Sequence, residues 1–152
     1  MKTFTTIGQA INFAISSASE CAEFFDNFSN QARNSLIRKQ FAGFSRNEFA
    51  QIATLSKILI ERPVFIRQPF SSLPFQEQIE KAQCHHKEAY GYLQTLIMAL
   101  RRAQLSKMLF TELANQSPDK ELKETFMMLA KKKTAQFHDI SCEFNETFLV
   151  FS

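Results

Sequence analysis

The sequence predicts an all-α fold, a four-helix bundle made of two repeated helical hairpins joined by a long crossover. Three observations predict it. Apolar residues recur at intervals of three and four along most of the 152 residues, the spacing that places them on one face of a helix. Helix breakers are scarce, with three glycines and four prolines, while Ala, Leu, Lys, Gln and Glu are abundant. The chain also matches itself at an offset of 85 residues, the mark of a duplicated structural unit.

Taken in order, Ile7, Ile11, Ala14, Ile15, Ala18, Cys21, Ala22, Phe25 and Phe28 form a stripe that predicts a first helix of about seven turns. It runs to Asn30 and is capped by Thr5 or Thr6. A polar break at 30–34 separates it from a second stripe, Leu36, Ile37, Phe41, Phe44, Glu48, Ile52, Leu55 and Leu59, which ends near Ile60. Residues 61–82 hold Pro63, Pro69 and Pro74 but are themselves apolar (Val64, Phe65, Ile66, Phe70). They read as a crossover connection rather than a linker between domains. A third helix begins after Pro74 and runs to about Asn115. Ser117-Pro118-Asp119 is a stop and restart, with proline in the first turn of the next helix. The fourth helix covers roughly Asp119 to Phe144, and Phe148-Leu149-Val150-Phe151 reads as a tail docked on the bundle.

The internal match lays Ala14-Ile15-Ser16-Ser17-Ala18 over Ala99-Leu100-Arg101-Arg102-Ala103 and Phe25 over Phe110. Without a gap it also lays Asn30-Gln31 over Asn115-Gln116, Phe41 over Phe126, Phe44 over Leu129 and Ala50-Gln51 over Ala135-Gln136. From Gln9 to Glu61, eleven of 53 positions are identical, about three times the chance rate, and the other apolar positions mostly fall on apolar ones. Helices one and two therefore form a hairpin that helices three and four repeat.

Composition sets the outer limits. Hydrophobic residues make up 45% and charged residues 22%, which suits a globular core and excludes disorder or a collagen-like chain. No run of 18 apolar residues offers a membrane span, and the N-terminus does not read as a signal peptide. A net charge of +3 gives no mandate for nucleic-acid binding. Cys21, Cys84 and Cys142 are odd in number and contain no C-x-x-C pair, so they read as buried thiols in a reducing cytosol. The expectation is one soluble, cytoplasmic domain over residues 1–152. Seventeen Phe and no Trp point to a core of rings without polar handles.

Both hairpins resemble the ferritin-like domain of rubrerythrins and their relatives. In that family the first helix of each half reads A-[IL]-x-x-E-x-x-[AS]-x-x-F-[YF] and the second reads F-x-x-[LF]-A-x-x-E-x-x-H. The resemblance rests on Ala14-Ile15 and Ala99-Leu100, on Phe25 and Phe110, and on Phe41/Phe44 and Phe126/Leu129. It covers nearly the whole chain except the crossover and the tail. It implies a ferritin-like four-helix bundle. In the family, the Glu of each first helix and the Glu-x-x-His of each second helix converge on two irons, because residues three apart share a helix face.

Carried over residue by residue, the first-helix Glu positions fall on Ala18 and Ala103, the second-helix Glu positions on Glu48 and Lys133, and the His positions on Gln51 and Gln136. Of six ligands one survives. Alanine offers no donor, lysine brings a cation, and glutamine is a poor iron ligand. Glu20 and His138 lie two residues past Ala18 and Gln136, about 200° around the helix, and point elsewhere. The resemblance implies that Glu48 and Lys133 face each other across the bundle axis. A lone buried Glu is costly, so an ion pair of Glu48 with Lys133, flanked by Gln51 and Gln136, is expected where the irons stood. The alternative is that both side chains are solvated on outer faces.

Cys84-His85-His86-Lys87-Glu88 is the one dense group of metal-capable residues in the sequence. Cys84 or His85 with Glu88 can share a helix face and bind zinc, but an exposed polar opening of the third helix is the preferred reading. Of Lys131-Lys132-Lys133, two are expected on a solvated face. No G-x-S-x-G, no Cys/His nucleophile motif and no glycine-rich phosphate loop is present. The expected function is non-catalytic: a scaffold or interaction module with a degenerate di-iron site and no cofactor. A di-iron oxidoreductase or peroxide-scavenging protein is the first alternative, and a binder of a small apolar or lipid ligand in a Phe-lined cavity is the second. A homodimer or another protein is a possible partner; nucleic acid and membrane are not.

Overall fold

The computed structural model describes residues 3–31, 35–61, 65–71, 75 and 92–151. Four helices dominate: α1 (Ile7–Gln31), α2 (Ser35–Glu61), α3 (Tyr92–Gln116) and α4 (Lys120–Phe151). Two short strands, β1 (Thr3–Thr6) and β2 (Phe65–Ser71), make one two-stranded sheet. The chain divides into two compact units: Phe4–Phe65, which holds α1 and α2, and Met1–Thr3 with Ile66–Ser152, which holds α3 and α4. Within each unit the two helices pack on each other as a hairpin.

The 85-residue register is carried into the structure. Burial follows the same register: Ala14 and Ala99, Ala18 and Ala103, Phe25 and Phe110, Phe41 and Phe126, and Leu55 and Ile140 are all buried.

Side-chain chemistry fixes the helix ends. Thr6 is the cap of α1: its Oγ1 accepts from the Gln9 amide at 3.1 Å. The Gln9 Oε1 accepts in return from the amides of Thr5 at 2.8 Å and Thr6 at 3.4 Å. This reciprocal capping box satisfies donors that the first turn leaves without partners. Helix α3 ends where Ser117 Oγ donates to the Leu113 carbonyl at 2.6 Å. Asp119 then caps α4, its Oδ1 accepting from the Leu122 amide at 2.7 Å. Pro118 therefore precedes the cap and is not in the first turn of α4. In both positions proline does no harm, since neither amide belongs to the helix ladder.

Two further expectations are corrected, the end of α4 and the burial of Cys142, and two short strands are added. Helix α4 does not stop near Phe144 but continues to Phe151, so the Phe148–Phe151 tail is helical backbone; nothing in Asn145-Glu146-Thr147 breaks a helix. Part of the 61–82 crossover is the strand β2, which includes Pro69, and Thr3–Thr6 form a strand before the first helix. Cys142 is exposed rather than buried, whereas Cys21 is buried. The described part of the third helix begins at Tyr92, and Cys84, His85 and Glu88 lie outside the described residues.

The two hairpins fill their interiors differently. Between α1 and α2, Phe41 sits among Phe25, Phe28 and Phe44 with ring centroids 5.7, 4.7 and 5.5 Å away. Ser45 Oγ adds a buried hydrogen bond across the helices to the Ala22 carbonyl at 3.0 Å. Between α3 and α4 the interior is mainly aliphatic, with Leu96, Leu113, Leu122, Leu129 and Ile140 buried. There Phe110 and Phe126 stack at 6.5 Å. Burying each such side chain contributes roughly 1.5–3 kcal/mol.

Gly43 stands in the middle of α2 with ordinary backbone geometry. A Cβ there would approach only the Arg46 Nη2, at 3.8 Å, and the equivalent position in the second hairpin is Met128. Gly43→Ala is expected to stabilise the protein by about 0.5–1 kcal/mol, because glycine in a helix interior loses more backbone entropy than alanine. An upward shift of the urea midpoint at constant slope is the measurement; a downward shift would show that the position needs the missing side chain.

Candidate functional site

Each hairpin carries a polar position at the same point of the repeat, on the face that its apolar stripe buries. In α2 the stripe Phe41, Phe44, Ser45, Glu48, Leu55 turns inward, and Glu48 is 2% exposed. In α4 the matching stripe Phe126, Leu129, Ala130, Lys133, Gln136, Ile140 does the same, and Lys133 is 4% exposed. These values overturn the alternative that both side chains are solvated. Lys131 and Lys132, by contrast, are exposed, as the helical period requires.

Ala18 and Ala103 are buried on α1 and α3 and present only methyl groups. Gln51 is half-buried and Gln136 buried. Within the second hairpin Lys133 Nζ donates to Gln136 Oε1 at 3.1 Å, one helical turn further along. A buried ammonium needs such acceptors, because losing its hydration without replacement is costly. Among the described residues no buried side-chain nitrogen or oxygen lacks a hydrogen-bond partner.

The residues at the six family positions therefore offer one carboxylate, one ammonium, two amides and two methyl groups. A di-iron centre wants carboxylate and imidazole donors, and a lysine ammonium repels a cation. The donor set does not fit such a centre. Glu20 and His138, the nearest alternatives in sequence, are exposed, consistent with their place two residues beyond the inward positions. Among the described residues no group of three or more His, Cys, Asp or Glu side chains is placed to hold a metal ion.

Two features escaped the sequence reading. Arg102 is buried at 8% exposure on α3; its spacing from Thr95 and Ala99, which are also buried, was the available signal. His138 and Cys142, both exposed on α4, stand together with Cys142 Sγ 3.7 Å from His138 Nε2, and their i, i+4 spacing announces the contact.

Among the described residues, then, the protein is an all-α chain of two duplicated helical hairpins with buried polar groups at matching positions. No described helix is long and apolar enough to cross a membrane. Comparison with known proteins gives no match: no family model, no curated protein and no solved structure matches the chain.

Proposed function

We propose that this chain is a non-catalytic ferritin-like protein of rubrerythrin type. In this reading Glu48, Gln51, Lys133 and Gln136 stand as a polar cluster where metal ligands once stood, and the helices serve as a scaffold or interaction module. The observation that carries it is the burial of Glu48, Lys133 and Gln136 together with alanine at positions 18 and 103. A lysine at a ligand position removes the site's attraction for cations and supplies the countercharge a buried carboxylate needs. The interaction role draws support from large apolar side chains left in solvent. Leu36, Phe49 and Ile60 on α2 are 74%, 58% and 81% exposed.

Elemental analysis after anaerobic reconstitution with ferrous iron tests the proposal. Far less than one iron per chain is expected. Two irons per chain would overturn the reading and put a di-iron oxidoreductase in its place.

A further inference from the structure

On the outer side of α4 a thiol and an imidazole stand side by side. His138 and Cys142 are one helical turn apart, both exposed, with 3.7 Å between Nε2 and Sγ. Each lies two residues past a buried position, Gln136 and Ile140, which turns it about 200° away from the core. Neither belongs to the polar positions of the interior.

The separation matches a metal's bite. A zinc ion binds thiolate sulfur at about 2.3 Å and imidazole nitrogen at about 2.0–2.1 Å, and tetrahedral geometry then sets the two donors about 3.6 Å apart. Sulfur and imidazole are the donor pair that zinc-class cations prefer over the hard, oxygen-seeking ions. The surrounding charge favours a cation too: residues 138–146 carry Asp139, Glu143 and Glu146 and no Lys or Arg. We propose that His138 and Cys142 form a two-ligand clamp on α4 for a zinc-class divalent cation, held by Nε2 and Sγ. On binding, the metal–sulfur bond forms as the thiol proton passes to solvent. Water fills the other coordination positions, since among the described residues no third such side chain joins the pair. The site is open and exchangeable, unlike the closed four-ligand shell of a structural zinc.

The test is a titration of the reduced, metal-free full chain with cadmium, followed by the sulfur-to-metal absorption band, with zinc measured by competition. One equivalent is expected to bind with the band. Cys142→Ser is expected to abolish the band. His138→Ala is expected to weaken binding by about tenfold or more, since losing even an outer partner of a metal ligand costs 10–100-fold. Cys84→Ser is expected to leave both unchanged. A band that survives Cys142→Ser, an affinity unaffected by His138→Ala, or a band lost in Cys84→Ser would overturn the proposal. Both clamp positions are exposed, so the variants keep the fold. Iron retained by Cys142→Ser would lie elsewhere than on this clamp, so this proposal and the reading of the bundle interior fail separately.

Discussion

Lys133→Ala is expected to destabilise the protein by about 3–5 kcal/mol, the usual cost of leaving a buried charge without its partner. At roughly 2–4 °C per kcal/mol for a chain of this size, the melting temperature falls by about 10 °C. Two losses combine. The Gln136 Oε1 that now accepts from Lys133 at 3.1 Å loses its donor, which alone costs about 1–3 kcal/mol when buried. Under the proposed charge compensation, the buried Glu48 carboxylate also loses its countercharge. Lys133→Met keeps the length of the side chain and removes the donor and the charge together, which isolates these two losses from the loss of packing in the alanine variant. It is expected to be nearly as damaging as the alanine change, and Glu48→Gln combined with Lys133→Met is expected to recover most of the loss, since a matched apolar or neutral pair replaces a buried ion pair at little cost. Single variants that melt within about 1 kcal/mol of wild type, or a double variant whose losses simply add, would refute the compensation of Glu48 by Lys133.

Phe41→Ala carries the second large effect, about 3–5 kcal/mol for truncating a fully buried ring. Its counterpart in the repeat, Phe126→Ala, is expected to cost less. Both rings are 0% exposed, so the transfer of apolar surface is similar. Phe41, however, meets three rings within 6 Å, whereas the Phe126 ring stacks on Phe110 at 6.5 Å. Aromatic pairs add about 0.5–1.5 kcal/mol each beyond burial. Chemical denaturation of the two variants gives the comparison, and equal costs would show that ring–ring geometry adds nothing here beyond area.

The sequence made the helices and their duplication legible because both rest on spacing. A stripe at threes and fours survives substitution of one apolar residue by another, and Pro118-Asp119 fixes the start of α4 by chemistry local to the chain. The inward orientation of Glu48 and Lys133 was legible for the same reason, since each falls on a stripe otherwise made of Phe, Leu and Ala. The strands were not. Thr3-Phe4-Thr5-Thr6 favours extended structure by residue type, but four residues are too few for alternation to show. In β2 the proline at position 69 argues against a strand within a central sheet, and only a two-stranded pairing leaves room for it. Cys142 was misplaced because free cysteines are commonly buried, a tendency of composition that the helical period around Ile140 overrides. The partners of the buried side chains depend on contacts far apart in sequence, and no periodicity encodes them.

The register shared by the two hairpins has a consequence for how the chain reaches its structure. The helices of each pair are neighbours in sequence, with Gln31 four residues before Ser35 and Gln116 four before Lys120, so bringing them together costs little chain entropy. Contacts that are local along the chain form early, and helical proteins rich in them fold in microseconds to milliseconds. Each half is therefore expected to nucleate on its own, one on rings and one on aliphatic side chains, and a lesion that slows the first is expected to leave the second able to start.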